Sequence, residues 1–145
     1  MQRREFIEKG CCIAIGTPIA LALKSCGAVH YVTTTAVQNR LTVEKSAFEF
    51  VRKETVRYRN FVMLTSEATP HPICLFKIAE NKYAASLMYC THNGCETNVQ
   101  GDLIVCPCHG SEFSNTGNVL TGPAEDDLQA FRTETDNENI YVHLA

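Results

Sequence analysis

Basic charge is nearly absent from the second half of the chain: residues 61 to 145 carry three Lys or Arg against 11 Asp or Glu. A surface of that sign repels a phosphate backbone, which excludes electrostatic nucleic-acid binding by this half. It suits docking to a basic partner, with association that weakens as salt is added. The basic residues are gathered between 40 and 60, six against three Glu, and Arg52, Lys53, Arg57 and Arg59 among them offer a face to anionic headgroups. A long hydrophobic run is also missing. The apolar stretch at residues 10 to 23 has 14 residues and includes Thr17 and Pro18. As a helix it reaches about 21 Å, short of the roughly 30 Å hydrocarbon core of a bilayer, so it reads better as a signal region than as a stable span. There is no internal repeat, no low-complexity tract and, beyond residue 23, no sustained helical stripe.

What the chain does contain is a series of short strand signals with polar interruptions. They fall at residues 29 to 34, 41 to 43, 60 to 65, 73 to 79, 83 to 89, 103 to 105, 118 to 120, 128 to 135 and 140 to 143. Glu80-Asn81-Lys82 is a hairpin connection between two of these. The expected class is all-β. Residues 26 to 145 are enough for one domain with its own core and too few for two comfortable ones.

The chemistry is concentrated in two segments, Cys90-Thr91-His92-Asn93-Gly94-Cys95 and Cys106-Pro107-Cys108-His109-Gly110-Ser111. Each offers a Cys/His pair and one additional cysteine. Thiolate and imidazole suit both zinc and iron, so ligand type alone leaves the metal open. The first pair, Cys90-x-His92, has one residue between ligands, where structural zinc loops usually leave two to four. Of the other cysteines, Cys74 lies in the apolar run Ile73-Cys74-Leu75-Phe76 and reads as a buried strand residue. His30, His71 and His143 lie outside both segments and read as surface or strand histidines.

Cys90-x-His92 and Cys106-x-x-His109 resemble the two cluster-binding boxes of the Rieske iron-sulfur family. The resemblance implies a 2Fe-2S cluster with Cys90 and Cys106 on the inner iron and His92 and His109 on the outer one. Two neutral imidazoles in place of two thiolates make the cluster less negative and raise its reduction potential. The resemblance also implies a disulfide between Cys95 and Cys108, as in the high-potential branch, which ties the loops together and needs an oxidising compartment. The implied fold is one of stacked antiparallel sheets, with an inserted subdomain that bears both loops.

Neighbouring residues refine that implication. The segment from Gly117 to Ala124 resembles the family's glycine turn, short strand and proline loop, so Gly122, Pro123 and Ala124 are expected to cover the cluster and exclude water. Ser111 matches a serine whose hydroxyl donates to a bridging sulfide and raises the potential. Phe113 stands where respiratory members carry a tyrosine donor, which implies a lower potential. Asn93 stands where quinol-oxidising members carry leucine, which weakens an apolar docking surface for a cytochrome b subunit.

Arg3-Arg4-Glu5-Phe6-Ile7 resembles a twin-arginine export signal, a route that carries proteins already folded around a cofactor. Leu23-Lys24-Ser25-Cys26-Gly27 resembles a lipoprotein cleavage box with Cys26 acylated, although Lys24 departs from the usual small or apolar residue. The alternative is an uncleaved N-terminal anchor. Residues 1 to 25 are therefore expected to be a signal with lipobox or an anchor, and 26 to 145 the Rieske domain on the periplasmic side of the cytoplasmic membrane. The implied activity is electron transfer without bond-making chemistry. The donor is a quinol-oxidising cytochrome b subunit or the molybdenum subunit of an arsenite-oxidase-like enzyme, and the acceptor a c-type cytochrome or other haem protein. A non-redox zinc-binding module is the competing class.

Overall fold

Side chains alternate between the two faces of a strand, so a strand that is apolar throughout must be covered on both sides. Ile73-Cys74-Leu75-Phe76 is such a run. The computed structural model, which describes residues 28 to 145, puts it in β6 (Ile73–Ala79) with these four side chains buried. Ile73 and Leu75 enter one core, while Cys74 and Phe76 enter a second. β5 (Phe61–Thr65) divides the same way, with Val62 and Leu64 on the first face and Met63 on the other. The two strands are thus the shared wall of two cores.

The first core is enclosed by a seven-stranded sheet in the order β1 (Tyr31–Thr33), β5, β6, β7 (Lys82–Leu87), β12 (Ala130–Thr135), β13 (Asn139–His143), β2 (Arg40–Glu44). Its pairings are antiparallel except for β1 with β5. Thr34 Oγ1 donates to the Thr42 carbonyl at 3.0 Å, which brings the β1 edge against the β2 edge and curls the sheet almost into a barrel. Phe48, at the end of a 3-10 turn over Lys45–Phe48, fills this core against Tyr83, with ring centroids 5.4 Å apart.

β7 and β12 are paired neighbours, and the chain between them leaves to build a second sheet and returns at the same place. That sheet runs β11 (Val119–Thr121), β10 (Glu112–Ser114), β9 (Leu103–Val105), β8 (Asn98–Gln100). It packs Ile104 and Phe113, together with Leu128 from the segment that returns to β12, onto Met63, Cys74 and Phe76, forming the second core. This matches the stacked sheets and inserted subdomain expected from sequence. Among the described residues no helix is long and apolar enough to cross a membrane. The twin-arginine motif, the lipobox and Cys26 lie outside the described residues.

Four strands were absent from the sequence reading. β3 (Glu49–Arg52) and β4 (Thr55–Tyr58) form a separate hairpin that is mostly exposed on both faces, so no apolar alternation marks it. Its turn residues Lys53 and Glu54 both adopt positive φ, at 51° and 61°, without the glycine or asparagine that usually signals such a turn. β8 and β10 each place a single apolar residue, Val99 or Phe113, between two polar ones, which leaves no apolar run to read. The hairpin connection at Glu80-Asn81-Lys82 is a turn at Glu80 and Asn81 that leads directly into Lys82 of β7.

Candidate metal centre

The two cysteine-histidine segments have different spacings, yet they fold onto one hydrogen-bonded frame. In each, the N–H of the first cysteine donates to the carbonyl of the sixth residue: Cys90 to Cys95 and Cys106 to Ser111, both at 2.8 Å. In each, the fifth residue is a glycine whose N–H donates back to the first cysteine's carbonyl, Gly94 to Cys90 at 2.9 Å and Gly110 to Cys106 at 3.0 Å. These glycines have φ of 75° and 79°, a region that side-chain-bearing residues enter at a cost. The frame turns both first cysteines inward and leaves both histidines exposed.

Cys90 and Cys106 are each 1% exposed and belong to the second core. The His92 and His109 rings, one from each loop, meet edge to face with centroids 4.8 Å apart. Burial works against ionisation of the Cys106 thiol, but the backbone N–H groups of Cys108 and His109 and the Cys90 side chain outweigh it and hold the thiol below its ordinary value. Donors aimed at sulfur suit an anionic thiolate. Cys95 and Cys108 are joined in a disulfide that fastens one loop to the other. Their sulfurs lie within 4.8 Å of that of Cys106, but a disulfide sulfur has no thiolate to offer a metal. Two buried thiols and two adjacent imidazoles remain, a donor set that fits a 2Fe-2S cluster ligated by Cys₂His₂.

Ser111 and the Gly122-Pro123-Ala124 segment are brought together by a hydrogen bond. Ser111 is fully buried, and its Oγ accepts the N–H of Ala124 at 2.9 Å. The serine therefore pins the Gly122-Pro123-Ala124 segment to the second loop, and accepting that bond leaves its own proton available. Thr91 Oγ1 donates to the Asp126 carbonyl at 2.7 Å, so the same segment is fastened to the first loop as well. Asp127 takes the N–H of Val119 at 2.7 Å and the Asn118 amide at 2.9 Å, which closes the segment onto the β10–β11 turn. Phe113 is fully buried in the second core, and Asn93 is exposed beside His92.

Sequence reasoning missed Thr91, Asp127 and Tyr89. Asp127 has acidic neighbours at Glu125 and Asp126 and no pattern separates it from them. Tyr89 packs so tightly under the first loop that a Cβ on Gly94 would lie 2.6 Å from its hydroxyl oxygen. The His71 ring meets Tyr89 at a tilt of 41°, with centroids 4.8 Å apart, and its Nδ1 lies 3.7 Å from a Glu96 carboxylate oxygen. His143 pairs with Glu134 on the far sheet. Burial raises the Cys74 thiol far above its ordinary range and keeps it neutral.

The fold and site define a class, and comparison with known proteins gives the same answer. The family model for the Rieske [2Fe-2S] domain matches residues 47–132, and the chain belongs to that family. A Rieske [2Fe-2S] domain takes a 2Fe-2S cofactor, and this one is similar to cytochrome b6-f complex iron-sulfur subunits. The cytochrome b6-f complex iron-sulfur subunit 1 of Nostoc sp. strain PCC 7120 is 28% identical over 157 residues, covering 98% of this chain and 84% of that protein. The corresponding subunit of Synechococcus sp. strain CC9605 is 40% identical over 55 residues, a match that spans 37% of this chain and only 31% of that relative. Among solved structures, the cyanobacterial plasma membrane Rieske protein PetC3 from Synechocystis PCC 6803 superposes with a TM-score of 0.51 at 37% identity, covering 57% of this chain and 85% of that one.

Proposed function

We propose that this chain passes single electrons through a 2Fe-2S cluster held by Cys90, His92, Cys106 and His109, as the iron-sulfur subunit of a quinol-oxidising cytochrome bc-type complex at the outer face of the cytoplasmic membrane. The observations that support the ligand assignment are the two buried thiols and, on the same two loops, the two exposed imidazoles in edge contact. When bound, the cluster supplies a one-electron couple. The protein's residues govern access and charge. The disulfide and the Ala124 segment keep both loops closed against water, and the Ser111 proton is available to stabilise added negative charge. The exposed imidazoles keep a second ring nitrogen that can hold the proton accompanying an electron.

The names of the cytochrome b6-f relatives support a bc-type partner, with a c-type cytochrome or another haem protein as acceptor. Twin-arginine export, with lipidation at Cys26 or an uncleaved anchor, accounts for the N-terminal pattern. A second reading, the electron-transfer subunit of an exported molybdenum oxidase, is favoured by Asn93: a polar, exposed residue beside His92 makes a poorer apolar seat for cytochrome b.

Iron and sulfide analysis with reduced-state electron paramagnetic resonance tests the ligand set. Cys106→Ser is expected to lose the signal, and His109→Cys to keep iron at a much lower midpoint potential. Zinc in the native protein, or full iron content in Cys106→Ser, would overturn it. Co-purification then separates the partners, a cytochrome b supporting the first reading and a molybdenum subunit the second.

A further inference from the structure

Three sulfurs meet where the two loops join, and the ligand assignment uses only one of them. The Sγ atoms of Cys95, Cys106 and Cys108 all lie within 4.8 Å of one another. Cys95 and Cys108 share a bond, whereas Cys106 is a free thiol. A thiol beside a disulfide is a reactive pair, because its thiolate attacks one bridge sulfur and displaces the other without any oxidant or reductant. Accessibility narrows what Cys106 can react with. It is 1% exposed, so dissolved thiols and oxidants do not reach it, while Cys95 is half-buried and Cys108 exposed. Cys90 is equally buried, but joining it to Cys106 would need an oxidant. The bridge needs none.

Resting on the ligand assignment above, we propose that Cys106 is an internal nucleophile toward the Cys95–Cys108 bridge whenever iron does not hold it. Cys106 gives its proton to water, its thiolate bonds to Cys95 Sγ, and the Cys95–Cys108 bond breaks with the electron pair leaving on Cys108 Sγ, which takes up a proton. One disulfide and one thiol become a different disulfide and a different thiol. Cys108 is the leaving sulfur for two reasons. It is the exposed member of the bridge, so water stabilises its thiolate. Attack in the other direction would bond Cys106 to Cys108 across a single residue, Pro107, whose ring fixes φ.

The product still ties the loops together, but through a ligand. Cys106 is then lost to iron, and this imposes an order on the two chemistries of the site. Cluster loading must precede formation of the bridge, or a dithiol reductant must open the bridge before a stripped chain can be reloaded. The same disulfide that fastens the loaded loops thus closes a stripped site against reloading in an oxidising compartment.

The test starts from the full-length, cluster-loaded protein, stripped anaerobically with a chelator at about pH 8, where an ordinary cysteine is about one quarter thiolate. Samples taken over hours are quenched in acid, alkylated in denaturant and mapped as unreduced peptides. The loaded protein is expected to give only the Cys95–Cys108 peptide. After stripping, a Cys95–Cys106 peptide should replace it and Cys108 should become alkylated, while the total of alkylatable thiols stays constant from the first sample, which separates exchange from oxidation. Recovery of cluster absorbance with added iron and sulfide should fall in step and return after dithiothreitol. Cys106→Ser should keep the original pairing in the same buffer. A stripped protein that retains Cys95–Cys108 and an alkylatable Cys106, a Cys106–Cys108 or Cys90–Cys106 peptide in its place, or equal scrambling in Cys106→Ser overturns the proposal and leaves the ligand set untouched. Exchange at the same rate in the loaded protein overturns both, because iron then does not hold Cys106.

Discussion

Gly94 and Gly110 occupy equivalent positions in the two loops and have nearly the same positive φ, yet a methyl group would meet different surroundings. At Gly110 nothing lies within 4 Å of the added carbon, so Gly110→Ala should cost only the backbone strain of about 1–2 kcal/mol. At Gly94 the carbon would approach the Tyr89 hydroxyl oxygen to 2.6 Å and Cζ to 2.9 Å. Gly94→Ala must therefore pay overpacking as well, about 1–3 kcal/mol more, and should lose cluster in urea well before Gly110→Ala does. Equal midpoints by visible absorption would mean that Tyr89 yields freely. Phe113 carries a prediction about tuning. Its buried ring has no hydrogen-bond donor, so Phe113→Tyr should raise the midpoint potential by about 40 mV, the one-electron equivalent of a hydrogen bond of about 1 kcal/mol. A redox titration that finds no rise would remove Phe113 from the tuning set. Such residues were legible because their chemistry is local: a cysteine beside a histidine, or a phenylalanine in place of tyrosine, can be read from a few letters. Thr91 and Tyr89 were not, because their roles depend on a carbonyl 35 positions away and on the clearance beneath a glycine.

At the scale of elements, the turn between β12 and β13 depends on one carboxylate. Asp136 accepts the N–H groups of Glu138 at 2.9 Å and Asn139 at 2.7 Å. The Tyr141 hydroxyl first, and then these two donors, lower its pKa to about 2 from an ordinary 3.8. Because the folded pKa is the lower one, the stabilisation is fully present above the ordinary value and is lost as pH falls through about 2. Asp136→Asn should therefore lower the urea midpoint at about pH 6, and the difference from the parent should shrink by about pH 3. A difference independent of pH would show that the turn's geometry, not its charge, is at work. The Cys95–Cys108 bridge acts on the neighbouring sheet: it closes a loop of 13 residues that contains β8 and β9. Chain-entropy arguments assign such a closure about 3 kcal/mol, so Cys95→Ser with Cys108→Ser should melt earlier and release iron faster, and a reductant should bring the parent to the same state. Element boundaries were readable where consecutive apolar residues mark a strand, as for β6 and β9. They were unreadable for β3 and β4, whose exposure removes the signal, and for β8 and β10, each of which has a single apolar residue between polar ones.

For the whole molecule, the question is whether the sheet and the loop-bearing insertion unfold as one. Their topology separates them, because the insertion leaves and returns between two adjacent strands. Their packing joins them, because β5 and β6 supply side chains to both cores in strict alternation. Leu75 and Phe76 are neighbours on β6, nearly inaccessible at 0% and 1%, and face opposite cores. Truncating Leu75 removes contacts only from the curled sheet and truncating Phe76 only from the side that carries the thiols, with expected costs of about 2–5 and 3–5 kcal/mol. If the shared wall makes one cooperative unit, Leu75→Ala should shift the loss of cluster absorbance and the loss of far-ultraviolet dichroism to the same lower denaturant concentration, although Leu75 touches none of the site. Phe76→Ala should do likewise from the other side. Cluster absorbance that persists in Leu75→Ala after the dichroism has gone would instead mark the insertion as a separately folding unit, with the disulfide and the Asp127 contacts as its own sufficient supports.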